Sequence, residues 1–225
     1  LGNGAKEKNI LVAPDSVDLE KFSINISKNE VRKKINLPLD KKIILYTGHL
    51  YQWKGVGTLL EVAKSISNDE FLISKNMLFV FVGGTEKDIT DFKKRAEGLN
   101  NLLIVGHRPY KEIPLYLKSA DVLVLPNSGK EDISRLYTSP MKLFEYMASG
   151  VPIIASDLPS IREILNESNA FFFNTDDQNS LADTINKVLI DEKEGEQRSR
   201  KAKEDVRNYS WQKRAESILN FINSK

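Results

Sequence analysis

Five short apolar runs, with helix-like segments between them, constrain the fold of this chain more than any other feature. They occupy residues 43–46 (IILY), 78–82 (LFVFV), 102–105 (LLIV), 122–125 (VLVL) and 153–155 (IIA). None alternates polar with apolar residues, and an unbroken apolar run is typical of a strand covered on both faces of a parallel sheet. A weaker sixth run at residues 170–173 (AFFF) suits a strand at the edge of that sheet.

The segments between the runs have helical periodicity. Residues 56–66 place five apolar side chains on one helical face, and Thr85 with Asp88 has the spacing of a capping box. In the last third of the chain, the apolar residues have helical spacing throughout. Strand and helix in alternation predict an α/β fold, a doubly wound parallel sheet of about six strands with a helical C-terminal extension.

Composition excludes several classes of site. The 225 residues contain no cysteine and only two histidines, which excludes disulfides, thiolate zinc sites, a cysteine nucleophile and multi-histidine metal sites. A net charge of +2 without a long basic run gives no support for nucleic-acid binding. Since no apolar run approaches the ~18 residues of a membrane span and no signal-peptide pattern is evident, we expect a cytoplasmic protein.

Glycines follow three of the expected strands, at Gly48-His49, Gly83-Gly84 and Gly106-His107. In open α/β sheets, ligands bind beyond the carboxyl ends of the strands. Such glycines can simply permit tight turns and the histidines can fill polar gaps. Three such ends in one sheet nevertheless favour a ligand-binding edge.

Lys54 stands just before the helix that follows the first strand. A cation beside the free N–H groups of a helix start suits an anion, although a single lysine is more often merely solvated. The neighbouring sequence lacks the spacing of a Walker loop, and no G-x-G-x-x-G fingerprint occurs in the chain, which weakens a dinucleotide interpretation.

The segment 135–150 is the most informative one. Ser139 is a good N-cap, Pro140 suits the first helical position, and Gly150 can end the helix in the left-handed conformation. Between these marks only Lys142 and Glu145 are charged. The helix is therefore apolar on nearly every side and is predicted to be buried.

Glu145 then lies among core residues, where a carboxylate without a partner costs several kcal/mol or changes its pKa. Its partner is either structural, such as a backbone N–H or an arginine, or a hydroxyl group of a ligand. The Ser139 hydroxyl and the backbone N–H groups of Met141 and Lys142 could hold a phosphate at the start of the same helix.

Taken together, these segments resemble the C-terminal, donor-binding half of a retaining GT-B glycosyltransferase of the group 1 type (family 4), which includes sucrose-phosphate synthases and bacterial mannosyltransferases. The matching segments are 13–22 with the interdomain "N-G-V-D-x-x-x-F", 46–55 with "G-R-L-x-x-x-K-G", 119–126 with "A-D-V-x-V-x-P", 144–156 with "E-A-M-A-x-G-x-P-V-V-A-S", and 209–211 with "F-S-W". They run through nearly the whole chain in the family's order.

The resemblance implies a role for each matching position. Glu145 aligns with the second glutamate of the family's E-x7-E pattern and is expected to hold the ribose hydroxyls of the donor. Lys54 is expected to meet the donor diphosphate as the principal catalytic cation, helped by His49, and Gly48 allows close approach. The remaining donor-binding residues are expected in two groups: Arg108, Pro109 and Tyr110 near the base, and Ser139, Met141, Lys142 and Leu143 near the diphosphate and sugar.

Two positions depart from the family pattern. His49 stands where an arginine is usual, which weakens one cationic contact or makes it pH-dependent. Tyr137 stands where the first glutamate of E-x7-E is expected, so recognition of the sugar must differ. Glu131, Asp132 or Arg135 from the preceding loop could substitute for it.

The resemblance also predicts the domain organisation. Residues 1–22 would be the linker from an N-terminal, acceptor-binding domain that the sequence lacks, residues 23–208 a Rossmann-like donor-binding domain, and residues 209–225 a C-terminal helix. The chain would thus be one half of a GT-B fold and a fragment of a longer enzyme, inactive without the other half.

The implied activity is retaining transfer of a hexose from a UDP- or GDP-linked sugar to a glycan, lipid-linked or small-molecule acceptor, without a metal or other cofactor. Two alternatives stay open: a GT-B nucleotide-sugar epimerase, and a non-catalytic nucleotide-sugar-binding domain. Contact with the inner face of a membrane through the basic cluster at 198–203 is a further expectation, although acidic neighbours favour a solvated helix face.

Overall fold

Six parallel strands form the centre of the computed structural model, which describes residues 6–67 and 76–224. The strands are β1 Lys42–Thr47, β2 Met77–Val82, β3 Leu102–Gly106, β4 Val122–Leu125, β5 Ile153–Ser156 and β6 Phe171–Phe173. Their order in the sheet is β3-β2-β1-β4-β5-β6, with β6 at an edge. The prediction of a doubly wound parallel sheet, including its weak sixth strand, is confirmed.

This strand order creates a crevice next to β1. The chain leaves β1 towards β2 and β3, then returns to place β4 on the other side of β1. Loops therefore diverge at the carboxyl ends of β1 and β4, which is the topological switch point where open α/β sheets bind ligands.

Helices cover both faces of the sheet. The α-helices of the described residues are α1 Leu19–Phe22, α2 Lys28–Lys34, α3 Val56–Ser67, α4 Glu86–Arg95, α5 Ile113–Ser119, α6 Asp132–Arg135, α7 Met141–Ser149, α8 Pro159–Arg162, α9 Gln178–Ile190, α10 Glu192–Asp205 and α11 Trp211–Asn223. Ile43 and Leu45 pack into the apolar cluster on one face, and Ile44 and Tyr46 into the cluster on the other. Because both faces are covered, the strand sequences need no polar alternation.

The predicted start of α4, which depends only on neighbouring residues, is confirmed. Thr85 and Asp88 form the capping box at α4, with the Asp88 N–H donating to Thr85 Oγ1 at 3.2 Å and the Thr85 N–H donating to Asp88 Oδ2 at 3.1 Å. Two backbone donors that no helical carbonyl can reach are thereby satisfied.

Helix α7 is buried from Lys142 to Ser149, as its apolar sequence predicts, and Gly150 ends it at φ +69°. The prediction for its start was wrong by one residue. Pro140 is extended, at ψ 121°, and occupies the N-cap position itself rather than the first helical position. Ser139 lies outside the helix, and its hydroxyl accepts a hydrogen bond from the Asp15 N–H at 3.0 Å.

The end of the chain returns to the expected linker. The Val17 N–H donates to the Tyr209 carbonyl at 3.0 Å, next to the start of α11. Helix α11 forms where the sequence predicts it, but none of its residues is buried. Residues 1–5 of the expected linker and residue 225 of the expected final helix lie outside the described residues. Among the described helices, none combines the length and apolar character that a membrane crossing requires.

Asp121, from the segment that resembles "A-D-V-x-V-x-P", has a structural position. Its carboxylate pairs with Arg32 and with Lys28, each at 2.7 Å, and accepts the Ile43 N–H at 2.7 Å. Although burial opposes the effect, Lys28, the Ile43 amide and Arg32 hold the pKa of Asp121 below its usual value. This cluster ties α2 to the beginning of β1. It lies at the amino ends of the strands, whereas the crevice lies at their carboxyl ends.

Candidate functional site

A cleft of about 620 Å³ opens at the carboxyl end of β1, between the loops that follow β1, β2 and β3 and the start of α7. Eight of the residues expected from the sequence line it: Gly48, His49, Lys54, Arg108, Tyr110, Met141, Lys142 and Glu145. These residues span about a hundred positions of the sequence. The doubly wound topology alone brings them to one place.

Three other expected residues do not line the cleft. Pro109 is exposed and precedes the 3-10 turn Tyr110–Glu112. Leu143 lies in the core, and its N–H donates to the Pro140 carbonyl at 2.8 Å. Ser139 is exposed and bonded to Asp15, so its hydroxyl does not face the cleft from an N-cap.

The floor of the cleft is made of glycine backbone. The Gly48 N–H donates to the Val82 carbonyl at 2.9 Å, and the Gly83 N–H donates to the Gly106 carbonyl at 2.8 Å. A Cβ on Gly83 would lie 2.4 Å from the Gly48 oxygen, so these two loops require glycine to pack together. Gly83, Gly84 and His107 line the cleft. The sequence indicates their place at the strand ends, but no motif in it assigns them to the site.

Glu145 is nearly buried beside a polar side chain. The residue is only 6% exposed, and its carboxylate lies beside the Tyr110 hydroxyl. Burial raises the pKa of Glu145, while the Tyr110 hydroxyl and the Lys142 ammonium oppose that rise. Among the described residues, the neighbours of the carboxylate are thus a tyrosine from the loop after β3 and a lysine of its own helix, rather than a backbone N–H or an arginine.

Lys54 is not an ordinary solvated lysine. It ends the 3-10 turn Gln52–Lys54, and its Nζ lies 3.8 Å from the centroid of the Trp53 ring. Partial burial lowers the pKa of Lys54 to about 8. The turn is closed by Gly55 at φ +71°, where a Cβ would lie 1.6 Å from the Pro126 oxygen.

His49 is exposed at the rim of the cleft. Its ring stacks on the Tyr51 ring, with the centroids 4.8 Å apart and the planes 1° from parallel. The Tyr46 hydroxyl donates to the His49 carbonyl at 2.6 Å, which anchors the backbone of this loop. The imidazole is therefore held in place beside the cleft.

Lys142 lies in the cleft as expected, but the sequence did not reveal the burial of its amine. Its residue is 9% exposed, and its Nζ is buried without a hydrogen-bond partner in the described part of the chain. The Nζ lies 3.9 Å from the centroid of the Tyr46 ring. Burial, and then repulsion by Lys54, lower the pKa of Lys142, and Glu145 acts in the opposite direction.

None of the proposed substitutes for the missing first glutamate lines the cleft. Tyr137 is 74% exposed. Glu131, Asp132 and Arg135 are also exposed, and Arg135 pairs with Asp132 at 2.8 Å within the short helix α6. Among the described residues, no group of three or more histidine, aspartate or glutamate side chains is placed to hold a metal ion.

The sheet order, the switch-point cleft and the glycine floor define an α/β domain of the Rossmann-like type found in GT-B glycosyltransferases. The family model for glycosyl transferases group 1 matches residues 27–205. This chain therefore belongs to the group 1 glycosyltransferase family.

Known proteins similar to the chain agree with this membership. A UDP-Gal:alpha-D-GlcNAc-diphosphoundecaprenol alpha-1,3-galactosyltransferase of Escherichia coli is 30% identical over 189 residues, covering 81% of this chain and 46% of the relative. The putative teichuronic acid biosynthesis glycosyltransferase TuaC of Bacillus subtilis is 26% identical over 175 residues, covering 77% of this chain and 40% of the relative.

Solved structures show the same fold. The sucrose-phosphate synthase of Thermosynechococcus elongatus has a TM-score of 0.76 at 22% identity, covering 94% of this chain and 51% of the other. Anabaena HepE in complex with UDP and glucose has a TM-score of 0.76 at 16% identity, covering 93% and 55%. The chain thus spans about half the length of the proteins it matches.

Proposed function

We propose that this chain is the donor-binding domain of a retaining hexosyltransferase that uses a nucleoside-diphosphate sugar. The observation that carries the proposal is the composition of the switch-point cleft. A lysine, the start of a buried helix and a nearly buried glutamate face one another there across a glycine floor. Residues that the resemblance assigns to donor binding therefore meet in space, although they are distant in the sequence.

The cleft suits a leaving nucleoside diphosphate. Breaking the bond to the sugar develops negative charge on the diphosphate, and a fixed cation and fixed dipoles lower the energy of that charge. Lys54 supplies the cation, with His49 beside it, and the free N–H groups at the start of α7 supply the dipoles. Gly48 lets the phosphates approach the backbone closely.

The contacts to the nucleoside of the donor follow from the same arrangement. Glu145 accepts hydrogen bonds from the ribose hydroxyls, and the loop at Arg108, Pro109 and Tyr110 borders the base. UDP is the first choice of donor nucleotide, with GDP as the alternative. The Escherichia coli relative is named for a UDP-linked sugar, and the Anabaena structure holds UDP.

We propose that the transfer needs no metal or other cofactor, because protein cations face the diphosphate. The acceptor, a glycan, a lipid-linked sugar or a small molecule, would be bound by an N-terminal domain. The length of the relatives supports such a partner, with residues 1–22 as linker, 23–208 as donor domain and 209–225 as final helix.

We further propose a cytoplasmic protein that meets lipid-linked acceptors at the inner face of the membrane. The relative that acts on a diphosphoundecaprenol-linked sugar supports this location. The basic cluster at 198–203 is a poor membrane anchor, because its cations pair along α10: Arg198 with Glu194, Arg200 with Glu196 at 3.0 Å, and Lys201 with Asp205 at 2.6 Å.

Calorimetric titration of the 225-residue chain with UDP, GDP and ADP tests the proposal. We expect saturable binding of UDP or GDP, weakened in Lys54→Ala and Glu145→Ala. The absence of binding at millimolar concentration for every nucleotide would refute the assignment of this cleft. In the full-length protein, a changed free sugar without an acceptor would indicate an epimerase, and binding without turnover would indicate a non-catalytic domain.

A further inference from the structure

Lys142 presents a physical problem that the proposed function does not resolve. A buried ammonium group needs an anion or several hydrogen-bond acceptors, because leaving it unpaired costs several kcal/mol. The Lys142 Nζ has no hydrogen-bond partner among the described residues, and its nearest described feature is the face of the Tyr46 ring, 3.9 Å from Nζ to the centroid. A neutral apolar side chain would fill this place at lower cost.

The Nζ of Lys142 lies next to the glycine loop of the cleft. A Cβ built on Gly48 would lie 3.7 Å from the Lys142 Nζ, so the amine sits directly against the glycine loop that forms the floor. Lys142 is also one of the residues that line the cleft. An anion resting on the Gly48 backbone would come within reach of this amine after a small rotation of the lysine side chain.

The charges around the amine point to an anionic ligand. The titratable and charged groups that face the same cleft are His49 and Lys54 from the loop after β1, His107, Arg108 and Tyr110 from the loop after β3, and Glu145 from α7 itself. Tyr46, from β1, packs against the amine. Glu145 is the one carboxylate among the described residues of the lining, and it lies beside the Tyr110 hydroxyl. The cleft therefore has more cations than anions.

We propose that the side chain of Lys142 is a second phosphate-binding cation, neutral in the free protein and protonated when a diphosphate occupies the cleft. This inference rests on the proposed function and extends it. The amine of Lys142 takes up a proton from solvent as the diphosphate oxygens arrive, and the resulting ammonium donates hydrogen bonds to them. Lys54 is already charged before the diphosphate binds. Lys142 becomes charged only when the diphosphate binds.

The arrangement also compensates for the replacement at His49. In the related pattern an arginine supplies a permanent charge at that position, whereas here an imidazole stands at the rim. A second lysine against the glycine floor restores a cationic contact from the opposite wall. Because the amine is buried away from solvent, its attraction for a phosphate is screened less than that of a surface lysine.

Calorimetry in buffers of different ionisation enthalpy measures both affinity and proton uptake. The 225-residue chain is titrated at pH 7 with UDP, GDP and inorganic pyrophosphate, and compared with Lys142→Met, Lys54→Met and Lys193→Met. Lys193 is exposed on α10, so it serves as the matched control. We expect the unmodified chain to take up protons on binding.

Lys142→Met is expected to abolish most of that uptake and to weaken diphosphate binding about tenfold, the lower end of the effect of a charged hydrogen bond. Lys54→Met should weaken binding and reduce the uptake only in part, because burial, the larger cause, still lowers the pKa of Lys142. Lys193→Met should change neither. The melting temperature of Lys142→Met should equal or exceed that of the unmodified chain, because the buried amine has been removed. A loss of binding in a properly folded variant is thereby distinguished from misfolding.

The outcomes separate this inference from the proposed function. If UDP or GDP binds with the same affinity and proton uptake in Lys142→Met, the role of Lys142 is refuted and the donor-binding function stands. If only pyrophosphate binds, with uptake that depends on Lys142, the anion site stands and the nucleotide function is refuted. If none of the three ligands binds the unmodified chain, both are refuted.

Discussion

The Tyr110 hydroxyl lies beside the Glu145 carboxylate, which brings the loop after β3 next to helix α7 at the cleft. The two residues are far apart in the sequence, and they were expected at the base and at the ribose of the donor. The carboxylate that we propose for the ribose therefore has a polar neighbour in the free protein. Ligand binding would exchange this tyrosine hydroxyl for sugar hydroxyls, or add to it.

Tyr110→Phe should destabilise the protein by about 1 kcal/mol, because it leaves a nearly buried carboxylate with one partner fewer. Burial already raises the folded-state pKa of Glu145 above its unfolded value, and the substitution raises that pKa further. Ionisation of such a group costs stability as the pH rises through the interval between the two pKa values. Urea denaturation should hence show a larger loss at pH 7 than at pH 4.

The control for this experiment is Tyr137→Phe. The Tyr137 side chain is 74% exposed, so loss of its hydroxyl should leave the free energy of unfolding unchanged at both pH values. Equal effects of the two substitutions would contradict the contact between Tyr110 and Glu145.

Glu145→Gln should weaken UDP binding about tenfold, because a charged acceptor for the ribose hydroxyls is replaced by a neutral one. The same substitution should leave the affinity for 2′,3′-dideoxy-UDP unchanged, since that ligand lacks both hydroxyls. Calorimetry with the two ligands measures the difference. Glu163→Gln, at an exposed position, is the matched control. An equal loss for both ligands would show that Glu145 does not act on the ribose.

The affinity for UDP should fall as the pH rises through about 8, the pKa to which burial lowers Lys54. A bound diphosphate raises that pKa again, so above it the complex holds a proton that the free protein lacks, and binding weakens with rising pH. The measurement is best made in Lys142→Met, which removes the second amine. Lys54→Arg should flatten the profile, because an arginine stays charged throughout this range. A profile unaffected by that substitution would exclude Lys54 as the source.

Gly55→Ala should destabilise the protein much more than Gly98→Ala. Both glycines have positive φ, at +71° and +82°, so each alanine costs about 1 to 2 kcal/mol of backbone strain. At Gly55 the new Cβ would also lie 1.6 Å from the Pro126 oxygen, whereas nothing lies within 4 Å at Gly98. We expect overpacking at Gly55 to add about 1 to 3 kcal/mol in urea denaturation. Similar losses at both positions would contradict the close packing of the Lys54 turn on the end of β4.

Asp121→Asn should cost about 3 kcal/mol of unfolding free energy at pH 7, because it leaves the nearly buried Arg32 guanidinium without its carboxylate. The folded-state pKa of Asp121 is held below its usual value of 3.8. Its stabilising contribution is therefore complete above the unfolded pKa and lost as the pH falls through the folded one. The difference from the unmodified protein should shrink in strong acid, and Asp40→Asn, at an exposed position, should have little effect at any pH.

Much of the fold could be read from local sequence. Runs such as those in β2 and β4 are apolar enough to specify strands covered on both faces. The pattern of α7 specifies a buried helix, with Gly150 at its end, because propensity, capping and hydrophobicity act within one segment. The family motifs then indicated Lys54, Gly48 and Glu145, and the structure places all three around one cleft. The predicted start of α7 was one residue too early, since the Ser139 hydroxyl accepts the Asp15 N–H instead of capping the helix.

Only the tertiary structure decided the contacts between distant segments of the chain. The sequence established that Glu145 needs a partner, but Tyr110 was one of many residues able to provide it. The sequence placed Lys142 on α7, but its position against Tyr46 and Gly48 depends on how α7 packs beside β1. The local chain therefore determines which element a residue belongs to. The burial and charge of its surroundings, and with them its chemistry, are determined by elements that come together only when the chain folds.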